Sequence, residues 1–314
     1  MDRFSHQAAS AKSAVSRIVH YFHAWTPYSL KCFFKVLIES INAWIDHRAA
    51  SKGAALAFYT LFSMTPILIL AIAVAGYFFG AEAAQGEIIT QLQGLVGPNG
   101  AQAIQAMLAA ARNHSSGLIA TLLATILLAV GATSVFAELK ASLDEIWGEN
   151  KTTVSGFWHM MRTRLLSFGI VLVLAFLLLI SLVVSAALAM LERYAGGYWS
   201  ESVVILSSIS WLLSFGVIAT LFAVIYKMLP NVPLSWHDVW IGAIFTAALF
   251  TLGKHLIGLY LGNSGVASSF GAAGSVIALL LWVYYSAQIF FLGAEFTRYF
   301  TLRFGSLSRQ PQPQ

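Results

Sequence analysis

Charge is what this sequence has least of. Only 10% of its 314 residues are charged and 58% are hydrophobic, whereas a typical soluble chain carries roughly 25% charged residues. A soluble domain of this size would lack the polar surface to cover itself. That excludes a disordered chain, a nucleic-acid-binding arm and an ordinary cytosolic enzyme. Cysteine is nearly absent too. Cys32 stands alone, so no intrachain disulfide exists, and Lys31 and Lys35 beside it do not make a reactive thiol. Metal and nucleophile motifs are missing. The eight histidines, at 6, 20, 23, 47, 114, 159, 237 and 255, form no HExxH and no His-x-His cluster with a nearby aspartate, and no cysteine ligands accompany them. There is no GxSxG elbow, P-loop or GxGxxG after a strand. The residues therefore predict no enzyme, no metal and no cofactor.

What is present is long apolar stretches between sparse charges. No Asp, Glu, Lys or Arg occurs between Lys52 and Glu82, between Arg164 and Glu192, or between Glu201 and Lys227. About 20 apolar residues suffice to cross a hydrocarbon core. The pattern predicts an all-α polytopic membrane protein with six spans, at about 54–79, 117–137, 165–191, 203–226, 239–261 and 275–294. They form one transmembrane domain over 28–300, between tails 1–27 and 301–314. Residues 1–27 contain no apolar run, so no cleavable signal peptide is expected.

The formal charge of +5 is topological rather than a sign of nucleic acid. With both termini inside, inner segments hold fifteen of the 18 basic residues. Only Arg112, Arg193 and Lys254 fall outside that fringe. This split orients the spans with both termini cytoplasmic.

Residues 28–48 follow a different rhythm. Leu30, Phe33, Phe34, Leu37, Ile38, Ile41, Trp44 and Ile45 share one helical face, and Lys31, Lys35, Glu39, Asn42 and Asp46 the other. The expectation is an amphipathic helix in the membrane interface; packing on a neighbouring cytoplasmic segment is the alternative. The outer loop 82–116 carries Ile88, Ile89, Leu92, Leu95 and Val96 at helical spacing, breaks at Gly97-Pro98-Asn99-Gly100, then resumes with Ile104, Met107, Leu108 and Ala111. It reads as a helical hairpin. The stripe Phe136, Leu139, Leu143, Ile146 and Trp147 carries span two onward as a helix.

Four features stand above this background. Lys52, Tyr59, Ser63 and Pro66 fall close to one face of span one, where Pro66 frees a carbonyl near Phe62. This is a polar pathway or a kinked packing helix. Tyr226 to Pro233 ends span four in a tight inner turn. Lys254 is an intramembrane charge, a functional-site hypothesis by default, although a lysine near a boundary also snorkels. Glu295, near the inner end of span six, is too far along the membrane to pair with it. Gly262 to Ser275 is almost all Gly, Ser and Ala, and Gly258 with Gly262 forms a GxxxG. This stretch allows close backbone approach along a substrate path or forms a flexible outer hairpin.

Ala57-Phe58-Tyr59-Thr60-Leu61-Phe62-Ser63-Met64-Thr65-Pro66 resembles the Tyr-Tyr-Thr-Leu-Leu-Ser-x-x-Pro signature of the YihY/BrkB family. Leu229-Pro230-Asn231-Val232 is similar to that family's Leu-Pro-Asn turn. Tyr260 through Glu295 resembles its C-terminal block, with Phe270-Gly271-Ala272-Ala273-Gly274 and Gly293-Ala294-Glu295 in register. The resemblance spans roughly 30–300 and implies a six-span inner-membrane protein. It also brings an old ribonuclease label, which these residues do not support, and a virulence-factor name tied to serum resistance. The functions it implies are export of a small solute or movement of lipid or lipid-A precursors. This chain departs from the family at Ser134-Val135-Phe136-Ala137-Glu138-Leu139-Lys140, where many relatives are Arg-rich.

Together these readings predict a transporter or exporter of a small solute. Lipid translocation and a non-transporting membrane scaffold are the alternatives. The candidate substrate pathway is Lys52, Tyr59, Ser63, Pro66, Asn231, Lys254, Gly271, Gly274 and Glu295. Expected partners are membrane lipids, a small-molecule or lipid substrate, and a second copy of the chain, with no nucleic acid.

Overall fold

A computed structural model describes residues 28–112, 134–135, 137–148, 200–230, 232–263 and 273–308. Among these residues the chain is helical and has no strand. The expected spans 117–137 and 165–191 lie largely or wholly outside the described residues. So do the tail 1–27, most of the Gly/Ser-rich stretch, Asn231 and Gly271.

Helix α1 (Tyr28–Asp46) is followed by a two-residue corner, His47 and Arg48, and then by α2 (Ala49–Phe79). At the corner Arg48 adopts left-handed backbone angles, φ 54 and ψ 42. Helix α2 is 31 residues long and runs unbroken through Pro66. Next comes α3 (Ala81–Arg112), whose two helical arms meet at Gly97, with φ 77 and ψ 173. Glycine takes such angles at little cost, and Pro98 then opens the second arm with its own φ already set. The break read from Gly97-Pro98-Asn99-Gly100 is therefore present. A short helical segment, α4 (137–146), follows. It buries Leu139, Leu143 and Ile146, the stripe its periodicity predicted.

Three helices are long and apolar enough to cross a membrane among the described residues. They are α5 (Ser200–Met228), α6 (Trp236–Asn263) and α7 (Gly274–Arg303). Their low amphipathicity fits the sequence, since apolar residues surround each of them. Helix α7 is the hub and packs against α1, α2, α3 and α6. At one end Leu68 and Ile72 of α2, Ile89, Ile104 and Leu108 of α3 and Leu279 of α7 form a dry core. At the other, Leu143 and Ile146 pack with Tyr226, Val239, Phe290 and Phe291.

The α6–α7 contact is close because glycine and threonine alternate across it. A Cβ on Gly242 would strike Thr297, and one on Gly293 would strike Thr246 and the Tyr226 hydroxyl. The two threonine hydroxyls donate to carbonyls four residues back in their own helices, 2.7 Å each. Small residues and internally satisfied hydroxyls are how helices approach without a hydrophobic driving force. The α5–α6 turn is held by lysines. Lys140 Nζ donates to the Leu229 carbonyl at 3.1 Å, and Lys227 donates to the Leu234 carbonyl.

Helix α7 runs past the expected span end at 294, through Arg303. The turn after it docks on α6: the backbone N–H and hydroxyl of Ser306 donate to Asp238 Oδ2 at 2.7 and 2.8 Å. Residues 301–308 thus pack on the bundle, with the Asp238 carboxylate holding the turn at Ser306.

Candidate site at the charged end of the bundle

The α1–α2 corner, the start of α2, α4 and the last turns of α7 meet at one end of the bundle. Six ion pairs lie there: His47–Glu295, Lys52–Glu145, Lys140–Asp144, His237–Asp238, Arg298–Glu295 and Arg303–Glu39. The opposite end is built from the apolar α2–α3–α7 core.

Glu295 is the centre of the cluster, with its side chain 1% exposed. Its Oε1 lies 2.5 Å from His47 Nδ1. Its Oε2 is buried without a hydrogen bond, and Arg298 Nη1 stands 3.9 Å away, one helical turn along the same face. Lys52 adds positive charge from α2 and is itself paired with Glu145 at 2.9 Å. The corner that delivers His47 is pinned from two sides. Trp44 Nε1 donates to the Gln288 carbonyl at 3.3 Å, and Gln288 Nε2 donates to the Ala49 carbonyl at 3.5 Å. Gly53 leaves room for the Gln288 amide, which a Cβ there would meet.

Helix α1 presents an unexpected face to α7. Val36, Ser40 and Ala43 are the buried residues, and with His47 they span an arc of about 60° at 3.6 residues per turn. The large apolar residues centre about 120° away from that stripe. Phe33, at the near edge, stacks edge-on with Phe296 at 5.8 Å between centroids. Leu37, Ile38, Ile41 and Ile45 are only partly covered. Glu39 on the other flank pairs with Arg303 at 3.1 Å.

Of the nine expected pathway residues, Lys52 and Glu295 come together here. Tyr59 is half-buried, edge-on to Phe58 at 6.0 Å. Ser63 is buried, and its hydroxyl donates to the Thr60 carbonyl at 3.2 Å. Pro66 lies within α2, and Gly274 opens α7 and is buried. Lys254 is half-buried on α6 and makes no ion pair with a described residue. Gly253, its neighbour, faces Tyr285 and Ile289. That register puts Lys254 about nine residues, or roughly 14 Å, from Glu295 along the bundle, so the two do not pair. Asn231 and Gly271 lie outside the described residues. His47, Trp44, Gln288 and Arg298 complete the site but were not singled out in the sequence. The available signal was weak: a histidine just before the first charge-free run, and one glutamine inside the last. Among the described residues no three His, Cys, Asp or Glu side chains converge on a metal-sized space.

Long apolar helices with charges gathered at one end define a helical integral membrane protein. A profile described as virulence factor BrkB matches residues 41–314, and the chain belongs to that family. A UPF0761 membrane protein of Acinetobacter baylyi is 26% identical over 271 residues, covering 86% of this chain and 62% of that protein. One of Verminephrobacter eiseniae is 28% identical over 272 residues, 84% of this chain and 61% of the relative. The chain therefore spans about three fifths of the length of these two relatives. A protein of Bacillus subtilis, YfkH, carries a ribonuclease-like name and is 23% identical over 269 residues, 82% of this chain and 92% of its own. No solved structure matches.

Proposed function

We propose that this protein is a six-span inner-membrane transporter of a small solute, with both termini cytoplasmic and the charged end of the bundle facing the cytoplasm. The observation that carries this reading is Glu295. It is fully buried on a helix long and apolar enough to cross a membrane. Removing a carboxylate from water costs several kcal/mol or more even when it is partnered, and ionisable groups in such helices mark substrate or ion paths. Lys52 and Glu145 beside it supply an ion pair that can open and close at the cytoplasmic mouth.

The test is flux through purified protein in lipid vesicles, using a labelled panel of polyols, amino acids and betaines. Wild type should move at least one of them, and Glu295→Gln should cut that flux at least tenfold at equal insertion. No movement of any panel member by wild type would overturn the reading.

The α1 geometry favours a second reading, lipid translocation. Its large apolar side chains point about 120° away from the protein-facing stripe, as suits a helix lying in the membrane interface beside the site. Dithionite quenching of a fluorescent phospholipid in the same vesicles separates the two. Silence in both assays would favour a non-transporting scaffold.

A further inference from the structure

We propose that Glu295 and His47 form an exchangeable proton-binding site, and that loading it releases α1 and the α1–α2 corner from the end of α7. This goes beyond the transport reading and holds whatever the protein carries. One acceptor at this pair has nothing to accept. Glu295 Oε2 is buried and unbonded, while Oε1 is 2.5 Å from His47 Nδ1. A proton arriving at the pair has one open position, Oε2.

Every charged neighbour acts on that position. His47 faces Glu295 from the corner, Lys52 from α2 and Arg298 from its own helix. Glu145 on α4 is occupied with Lys52. Helix α1 contributes Glu39, held by Arg303, and Asp46 at its end. At this level helix α6 brings Gly242 and Thr246 against Thr297 and Gly293, and Phe245 against Phe296; none of these three carries a charge. With one proton on the pair, an imidazolium attracts a carboxylate, and the strong short contact follows. A second proton, placed on Oε2, neutralises the carboxyl. Three cations then surround a neutral acid, and among the described residues only Lys52 keeps an ion-paired carboxylate. The attraction that held His47 becomes repulsion between His47 and Arg298.

What the contact restrains is a strained corner. Arg48 is the only non-glycine residue with positive φ among the described residues. Such a conformation costs of order 1–3 kcal/mol and persists only where its surroundings enforce it. His47, one residue earlier, supplies the polar anchor. Other ties of α1 include a stripe of small residues, the Phe33–Phe296 ring contact, one indole hydrogen bond and the part-exposed Glu39–Arg303 pair.

The chain supplies its own probe, since Cys32 is its sole cysteine and lies on α1. Full-length protein carrying Ser308→Cys would be spin-labelled at both thiols, placed in phosphatidylcholine–phosphatidylglycerol vesicles, and measured by double electron–electron resonance from pH 8 to pH 5. A single distance should dominate at pH 8, and a longer one should become the majority at pH 5. Glu295→Gln should show the longer distance at pH 8, with no further change on acidification. Glu39→Gln should keep the wild-type pH response. A wild-type distribution that stays fixed over this range, with helicity retained, overturns the proposal without any substitution in the site. So does Glu295→Gln that folds and still responds to acid as wild type does.

Discussion

Thr246 of α6 projects its hydroxyl into the space that Gly293 of α7 leaves open. The same fit recurs one turn away, in reverse, between Gly242 and Thr297. A methyl group at either glycine meets a threonine that is itself buried and bonded to its own helix. The helices cannot yield locally, so they must separate. Gly293→Ala should lower stability by about 1–3 kcal/mol, the usual cost of overpacking a tight core. Denaturation in mixed detergent micelles, followed by circular dichroism, would register this. Pairing it with Thr246→Ser, which removes a methyl from the facing side chain, should recover part of the loss. An unchanged midpoint in Gly293→Ala would show that the α6–α7 approach is looser than described.

Much of this architecture was legible in the sequence because it depends on where charges are and are not. The charge-free runs marked α2, α5 and α7, and apolar composition marked α6 despite Lys254 within it. Periodicity placed the stripe Leu139, Leu143, Ile146 correctly, and Gly97-Pro98 gave the break in α3. The site itself was only half legible. Lys52 and Glu295 stood out as charges beside long apolar runs, but nothing in the linear pattern joins position 47 to position 295. Their meeting depends on the Arg48 corner and on the length of α7, both tertiary facts. Periodicity sorted α1 into an apolar and a charged face, but the side that meets α7 is the narrow stripe Val36, Ser40 and Ala43, whose small side chains allow close approach.

Tyr226 should report the same core through a different interaction. It is buried, and its hydroxyl donates to the Phe290 carbonyl at 2.7 Å and lies 3.2 Å from the Thr246 hydroxyl. Tyr226→Phe preserves the ring contact with Phe290, 5.1 Å between centroids, and removes only the polar tie. A loss of about 1 kcal/mol is expected, the net worth of one such hydrogen bond. Because Thr246 is shared, combining Tyr226→Phe with Gly293→Ala should be non-additive. Strict additivity in the same denaturation assay would argue against a single coupled core.

The six-span orientation makes a prediction of its own. Gln93, on the α3 hairpin, and Ser308, in the turn after α7, are both exposed and fall on opposite sides of the membrane in that topology. With Cys32 replaced by serine, a cysteine at Gln93 should react with a membrane-impermeant maleimide in intact spheroplasts. A cysteine at Ser308 should react only after permeabilisation. Labelling of both from the outside would reverse or break the proposed topology.

Asp238 closes the other side of the charged end. Its carboxylate lies in the first turn of α6, where the helix dipole favours a negative charge. It also accepts two hydrogen bonds from Ser306. Gly305 passes so close that a Cβ there would collide with the Asp238 carboxyl, and its N–H instead completes the end of α7 by donating to the Phe300 and Thr301 carbonyls. Asp238→Ala removes both bonds and the dipole partner at once, and hydrogen bonds to a charged group are worth about 1.5–3 kcal/mol. The expected outcome is local rather than global. The turn 304–308 should detach and become sensitive to protease while the helical content of the bundle is unchanged. Gly305→Ala should give the same cleavage pattern by steric means with the carboxylate still present. If Asp238→Ala leaves the turn as resistant as in wild type, the docking of the chain end depends on the partly buried Leu307 against the core and not on this carboxylate.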